Sequence, residues 1–304
     1  MEKSPLEKLR EMQNVSSQEL RGKAPEESSK KTTIISIIIF GGIFLFTKFK
    51  YLSILLKFIP TVITMGIALY AYSIFFGWKF ALGLLLLILL HESGHGFTAK
   101  IMGIKVGVPI FIPFLGAFIS LKEQLKSTYV EAIVGFGGPF AGLIGAVAVF
   151  CFGYYNPDPH IRDFCIALAW FTGMINYFNM MPFFGLDGDR ISQPMNKYHW
   201  VVLIVVVSAL IYWYHEKTNS MHPFMIFLII GALIKGYRVW NKDKAPKTES
   251  LLEKLKSSNA YPDEESISDF QRLQSLLAFI FLTTALTALM IYTEILRMKP
   301  PESN

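Results

Sequence analysis

His91-Glu92-Ser93-Gly94-His95 closes an apolar run, Phe80 to Leu90, that carries no charge. In an H-E-x-x-H pattern on a helix the two histidines stand one turn apart on one face. Both can ligate a single zinc ion there, and the glutamate beside the first is placed to activate a water. Burying ionisable groups in hydrocarbon is costly, so a cluster of three in such a run marks a functional site. The plain alternative is a chance match on an amphipathic helix, and the apolar surroundings count against it.

The run belongs to a chain of 304 residues, 52% hydrophobic and only 17% charged. A soluble domain carries about a quarter charged residues, so lipid solvates most of this chain. The formal charge of +6 suits basic cytoplasmic loops. The lysines are scattered between apolar stretches rather than gathered on one face, which argues against nucleic acid as a partner. Cys151 and Cys165 both fall in apolar segments and form neither a disulfide framework nor a thiolate metal site. Met1 to Lys31 is polar and mixed in charge, with no early apolar core. It reads as a flexible or partly helical tail rather than a signal peptide.

Eight apolar segments follow: Thr32–Thr47, Phe58–Phe76, Phe80–Ala99, Val130–Tyr154, Phe164–Met181, Trp200–Tyr214, Pro223–Val239 and Leu273–Leu296. A full span needs roughly 20 apolar residues, so the first and sixth are short. The expected fold is an all-α polytopic membrane protein with seven to eight apolar segments. Gly103 to Lys126, after the H-E-x-x-H segment, is the exception. Its two prolines and three glycines forbid a continuous helix, and the β-branched and aromatic residues of Gly107–Ile119 favour extended strands. That stretch is either a hydrophobic linker on the membrane surface or a β-hairpin-like loop whose free edge can pair with an extended peptide.

Two histidines on zinc want a third protein ligand. No further histidine follows His95 at metzincin spacing. Glu123 and Glu131 lie where a soluble gluzincin could use them, but in the loop and at the mouth of the next span. Asp187 follows an apolar span directly in Asn179-Met180-Met181-Pro182-Phe183-Phe184-Gly185-Leu186-Asp187-Gly188-Asp189. Pro182 breaks the helix there, and Gly185 and Gly188 let a carboxylate turn back into the bundle. Asp187-Gly188-Asp189 reads equally well as an ordinary turn.

Together, HESGH and N-x-x-P-x-x-x-L-D-G resemble the site-2 protease family of intramembrane zinc metalloproteases. Pro113-Phe114-Leu115-Gly116-Ala117-Phe118-Ile119 and Glu131 to Pro139 occupy the places of that family's hairpin and of its Gly-Pro span. The resemblance covers about Phe58 to Arg190. It implies one zinc ion held by His91, His95 and Asp187, with Glu92 as general base and acid. It also implies substrate positioning by Asn179 and by the Gly116, Ala117 and Phe118 strand. Many members carry asparagine three residues after the Gly-Pro proline, where this chain has Gly142.

On this resemblance the chain divides into a polar tail (1–31), a short hydrophobic or interfacial segment with a basic loop (32–57) and an intramembrane metalloprotease core (58–190). Further spans enclosing a polar loop at 241–271 (191–296) and a C-terminal tail (297–304) complete it. The implied activity is hydrolysis of a membrane-anchored protein, held extended, in or near its transmembrane segment. A silent pseudoprotease and a metal or solute transporter are the competing classes. The intact motif argues against the first, and the lack of internal repeats argues against the second. Lys100, Lys105, Lys122 and Lys126 follow the H-E-x-x-H segment, whereas Asn156 to His160 has no lysine or arginine. The resemblance implies a site toward the cytosol, and positive-inside counting supports that orientation; the expected location is a multi-pass protein of the plasma membrane. Thr32–Thr47 has 16 residues. If it spans, the seven basic residues before it lie outside. A re-entrant or interfacial helix would keep them inside, and that reading is preferred.

Overall fold

A computed structural model describes residues 4–22, 36, 39–40, 56–114, 116–122, 125, 127–241 and 267–298. Most of the Thr32–Thr47 segment, residues 242–266 of the 241–271 loop and Glu123 lie outside those residues. The chain falls into two units, residues 1–59 and 60–304. In the first, the polar tail contains a helix, α1 (Pro5–Gly22).

Among its described residues the second unit is helical apart from one hairpin. Its elements are α2 (Ile59–Phe76), α3 (Trp78–Ile101), β1 (Val106–Ile112), β2 (Gly116–Leu121), α4 (Thr128–Tyr154), α5 (Pro159–Asn179), α6 (Asp187–Ser192), α7 (Lys197–Thr218), α8 (Pro223–Asn241) and α9 (Asp269–Met298). Among the described residues six helices are long and apolar enough to cross a membrane: α2, α3, α4, α7, α8 and α9. The short sixth segment of the sequence thus lies within a full 22-residue helix, extended by Lys197 to His199 and by His215 to Thr218 at its polar ends. Helix α5 falls short of the others in apolar content, because it carries Arg162 and Asp163 at its start and Asn176 and Asn179 near its end.

Local chemistry sets the boundaries. Gly77, at φ 75°, separates α2 from α3 by a single residue in a conformation that side chains disfavour. Ser127 caps α4 by accepting from the Val130 amide at 3.2 Å. Asp158 caps α5, with Pro159 in its first turn. Threonines inside α9 need no partner from another helix. Thr283 and Thr287 donate to the carbonyls of Phe279 and Thr283, at 2.9 and 2.7 Å. The largest core joins α4 and α5 to the C-terminal spans through Tyr177, Met180, Trp200, Leu228 and Phe279. The spans after Arg190 are therefore packed into the body of the fold.

The stretch after α3 is a hairpin. Strands β1 and β2 are antiparallel, with Ile112 opposite Gly116, Phe111 opposite Ala117, Ile110 opposite Phe118 and Pro109 opposite Ile119. Gly116 takes φ 97° at the turn. The outer edge of β1 is occupied by hydroxyls of α2. Thr61 Oγ1 donates to the Pro109 carbonyl at 2.6 Å, and the Phe111 amide donates to Thr64 Oγ1 at 3.2 Å. The outer edge of β2 has no third strand among the described residues. Because outward and inward groups alternate along a strand, and Pro109 and Phe111 face α2, the pair Ile110 and Phe118 shares the ladder bonds. The main-chain groups of Ala117 and Ile119 then face outward from β2.

Candidate metal centre

The H-E-x-x-H sequence lies in the second half of α3. At about 1.5 Å per residue, His91 is about 20 Å from the start of the helix and about 15 Å from its end. His91, Glu92 and His95 are all buried. One ligand atom from each falls within 4.8 Å of the others. Asp187, at the first position of α6, meets the same two histidines. Its Oδ2 is 3.1 Å from His91 Nε2, its Oδ1 is 3.2 Å from His95 Nε2, and the two Nε2 atoms are 3.1 Å apart.

The other ring nitrogens decide what this triangle can bind. His95 Nδ1 donates to the Val134 carbonyl at 2.8 Å, an atom that can only accept. His91 Nδ1 faces the Asn176 carboxamide oxygen at 2.9 Å. The amide nitrogen of Asn176 is committed to the Thr172 carbonyl at 2.8 Å, so its oxygen must be the end turned to His91. Both histidines therefore carry their proton on Nδ1 and turn an Nε2 lone pair toward the Asp187 carboxylate. Three lone pairs thus converge with no proton to share, and a divalent cation is the group such a set holds. Ligands on a tetrahedral zinc with bonds of about 2.0–2.1 Å stand about 3.3 Å apart, close to the three edges observed. Two imidazoles and a carboxylate are also donors that zinc accepts.

One face of α4 brings these parts together. A Cβ on Gly135 would press on Arg190 and on the Asp187 carbonyl, one on Gly138 would overlap the His95 ring, and one on Gly142 would overlap the Asn176 carboxamide. Gly94 on α3 would in turn collide with the Gly137 carbonyl. Residues 135, 138 and 142 recur at helical spacing, so their backbone forms a smooth wall for the site. The turn carrying Asp187 is held from the far side. Lys235 of α8 pairs with the Asp189 carboxylate and also donates to the Asp189 carbonyl at 3.1 Å and to Ser192 Oγ at 2.8 Å.

Residues 79–164 match the family model of peptidase family M50. Over this segment the chain is similar to that family, in keeping with the resemblance carried by its motifs. It is 28% identical over 135 residues to a zinc metalloprotease of Methanocaldococcus jannaschii, a match covering 44% of this chain and 39% of that protein. It is 32% identical over 155 residues to a probable chloroplast zinc metalloprotease of Arabidopsis thaliana, covering 48% of this chain and 24% of that protein. The matched stretch therefore spans about two fifths and about a quarter of these relatives. The six apolar helices among the described residues and the match to peptidase family M50 support a multi-pass membrane protein.

A cavity of about 420 Å³ is lined by His91, Glu92, His95, Ala117, Asn179 and Asp187, among others. Gly116 and Phe118 border it as well, so every site residue expected from the sequence meets at one cavity. Asn179 Nδ2 comes to 3.5 Å from His91 Nε2. The Ile119 amide lies beside the Glu92 carboxylate, which brings the edge of β2 next to that residue. Glu131 stands apart, with Oε1 3.9 Å from Arg190 Nε. The departure at Gly142 has a structural counterpart, since polar contact at that place comes from Asn176 on the neighbouring helix. Sequence reasoning missed Asn176 and Lys235. The signal for each was a polar side chain inside an otherwise apolar helix, and Asn176 lies one turn before Asn179.

Proposed function

We propose that this protein is an intramembrane zinc endopeptidase that hydrolyses membrane-anchored proteins in or near their transmembrane segments, from the cytosolic side of the plasma membrane. His91, His95 and Asp187 hold the metal, and Glu92 is the general base and acid. The observation that carries the reading is the triangle of two Nε2 lone pairs and a carboxylate at 3.1–3.2 Å, with a buried carboxylate, Glu92, beside it. Zinc there supplies a Lewis acid that lowers the pKa of a water and polarises a peptide carbonyl.

The chain's own groups do the rest. Glu92 takes the proton of the attacking water and later delivers it to the leaving amine. A transmembrane peptide hides its carbonyls in helical hydrogen bonds, so it must be unwound to react. The open edge of β2, at the Ala117 amide and carbonyl and the Ile119 carbonyl, offers main-chain groups to which an unwound segment pairs as an added strand. Since the Ile119 amide lies beside Glu92, a peptide on that edge runs past the proton carrier. Asn179, on the cavity wall, is a further donor for the peptide. The lysines after α3 and their absence from the Asn156–His160 turn support the cytosolic placement.

The test combines metal analysis of the purified protein with cleavage of a membrane-embedded reporter substrate. Wild type should carry one zinc and cut, whereas Glu92→Gln should keep zinc and lose roughly 100- to 10,000-fold in rate. Equal cutting by the variant removes Glu92 from the chemistry. Absence of zinc in active wild type overturns the metal assignment.

A further inference from the structure

Asn176 is buried within α5, and the two ends of its amide have different partners. Its nitrogen donates to the Thr172 carbonyl at 2.8 Å, and its oxygen accepts from His91 Nδ1 at 2.9 Å. Turning the amide over would set oxygen against the Thr172 carbonyl and an N–H against His91 Nδ1. That ring nitrogen would then have to accept, and the ring proton would move to Nε2, the atom facing Asp187. The orientation of one amide and the tautomer of one histidine are thus a single choice. The amide has its place because residue 142 has no side chain. A Cβ there would overlap Oδ1, Cγ and Nδ2 of Asn176.

We infer that Asn176 is a positioning residue for His91, holding its Nε2 unprotonated and aimed at the point shared with His95 and Asp187, and that glycine at 142 is what admits it. This rests on the reading of His91 as a zinc ligand. An amide or carbonyl on the far nitrogen fixes the ring angle and raises its basicity, and loss of such a partner costs about 10- to 100-fold in metal affinity. A merely space-filling Asn176 would leave that affinity alone, because leucine keeps the same branched side-chain skeleton.

The test measures zinc affinity of the purified full chain by chelator competition, and melting of the metal-stripped protein alongside. Asn176→Leu should bind zinc about 10- to 100-fold more weakly, while Asn176→Asp, which keeps an acceptor facing Nδ1, should stay within about threefold of wild type. Gly142→Ala should reproduce the loss by displacing the amide. In an Asn176→Ala background, where the amide is gone, the same Gly142→Ala change should cost nothing further, the signature of two residues acting as one unit. His91→Ala is the control for the underlying assignment. If it loses zinc while Asn176→Leu binds like wild type, the positioning role is overturned and the zinc site stands. Equal losses from Gly142→Ala with and without Asn176 overturn the role of Gly142. If His91→Ala binds as wild type does, the ligand assignment fails and this inference with it. Should Asn176→Leu not fold, Asn176→Asp and the Gly142 pair decide the matter.

Discussion

Gly138 of α4 stands against the imidazole of His95 so closely that a Cβ at 138 would overlap Nε2, Cε1 and Cδ2 of the ring. The ring cannot retreat without leaving the Val134 carbonyl, which holds its Nδ1 at 2.8 Å. Gly138→Ala should therefore swing His95 off its aim and weaken zinc binding by at least about 10-fold. Chelator competition measures this, and an unchanged affinity would mean that His95 is not a ligand.

Lys235 is the remote support of the Asp187 turn. Its replacement by methionine leaves the Asp189 carboxylate without its cation. Both side chains keep about a fifth to a quarter of their exposure. The expected loss is about 2 kcal/mol, below the roughly 3–5 kcal/mol of a fully buried pair. A lower melting temperature together with weaker zinc binding is the expected outcome. Lower stability with zinc affinity intact would confine Lys235 to the fold.

At the open edge of β2, Ala117→Pro removes an outward N–H and leaves the ladder to β1 in place. Cleavage of an embedded reporter should fall about 10-fold in kcat/KM, chiefly through KM, with zinc content unchanged. Full activity would show that the substrate does not pair at this edge.

A metal that binds the folded state alone stabilises it by mass action, about 2.7 kcal/mol at a free concentration 100 times Kd. Adding zinc to stripped wild type should raise its melting temperature. The rise should disappear in Asp187→Ala. A rise of equal size in that variant would place the third ligand elsewhere.

Much of this was legible in the residues. Apolar runs became helices, the Pro- and Gly-rich stretch from Gly107 to Ile119 became a hairpin, and HESGH placed two histidines on one face, because each follows from local periodicity or backbone sterics. Asp187 was less legible. Spacing left it level with an ordinary Asp-Gly turn, and only the family resemblance separated the two. Asn176 was passed over because an amide in a buried helix has many partners open to it, and the one it finds, His91, lies 85 residues earlier.

The sequence by itself determined that zinc-ligand chemistry sits inside an apolar helix, since the i, i+4 geometry of His91 and His95 needs nothing beyond that helix. Only the tertiary structure decided how the site closes: Asp187 at the third corner, Asn176 behind His91, and Lys235 behind the turn. Those contacts join residues 43 to 96 positions apart. They depend on how closely helices approach, and that distance is set by the bare backbone at Gly135, Gly138 and Gly142, positions whose letter states a size but not the neighbour it admits.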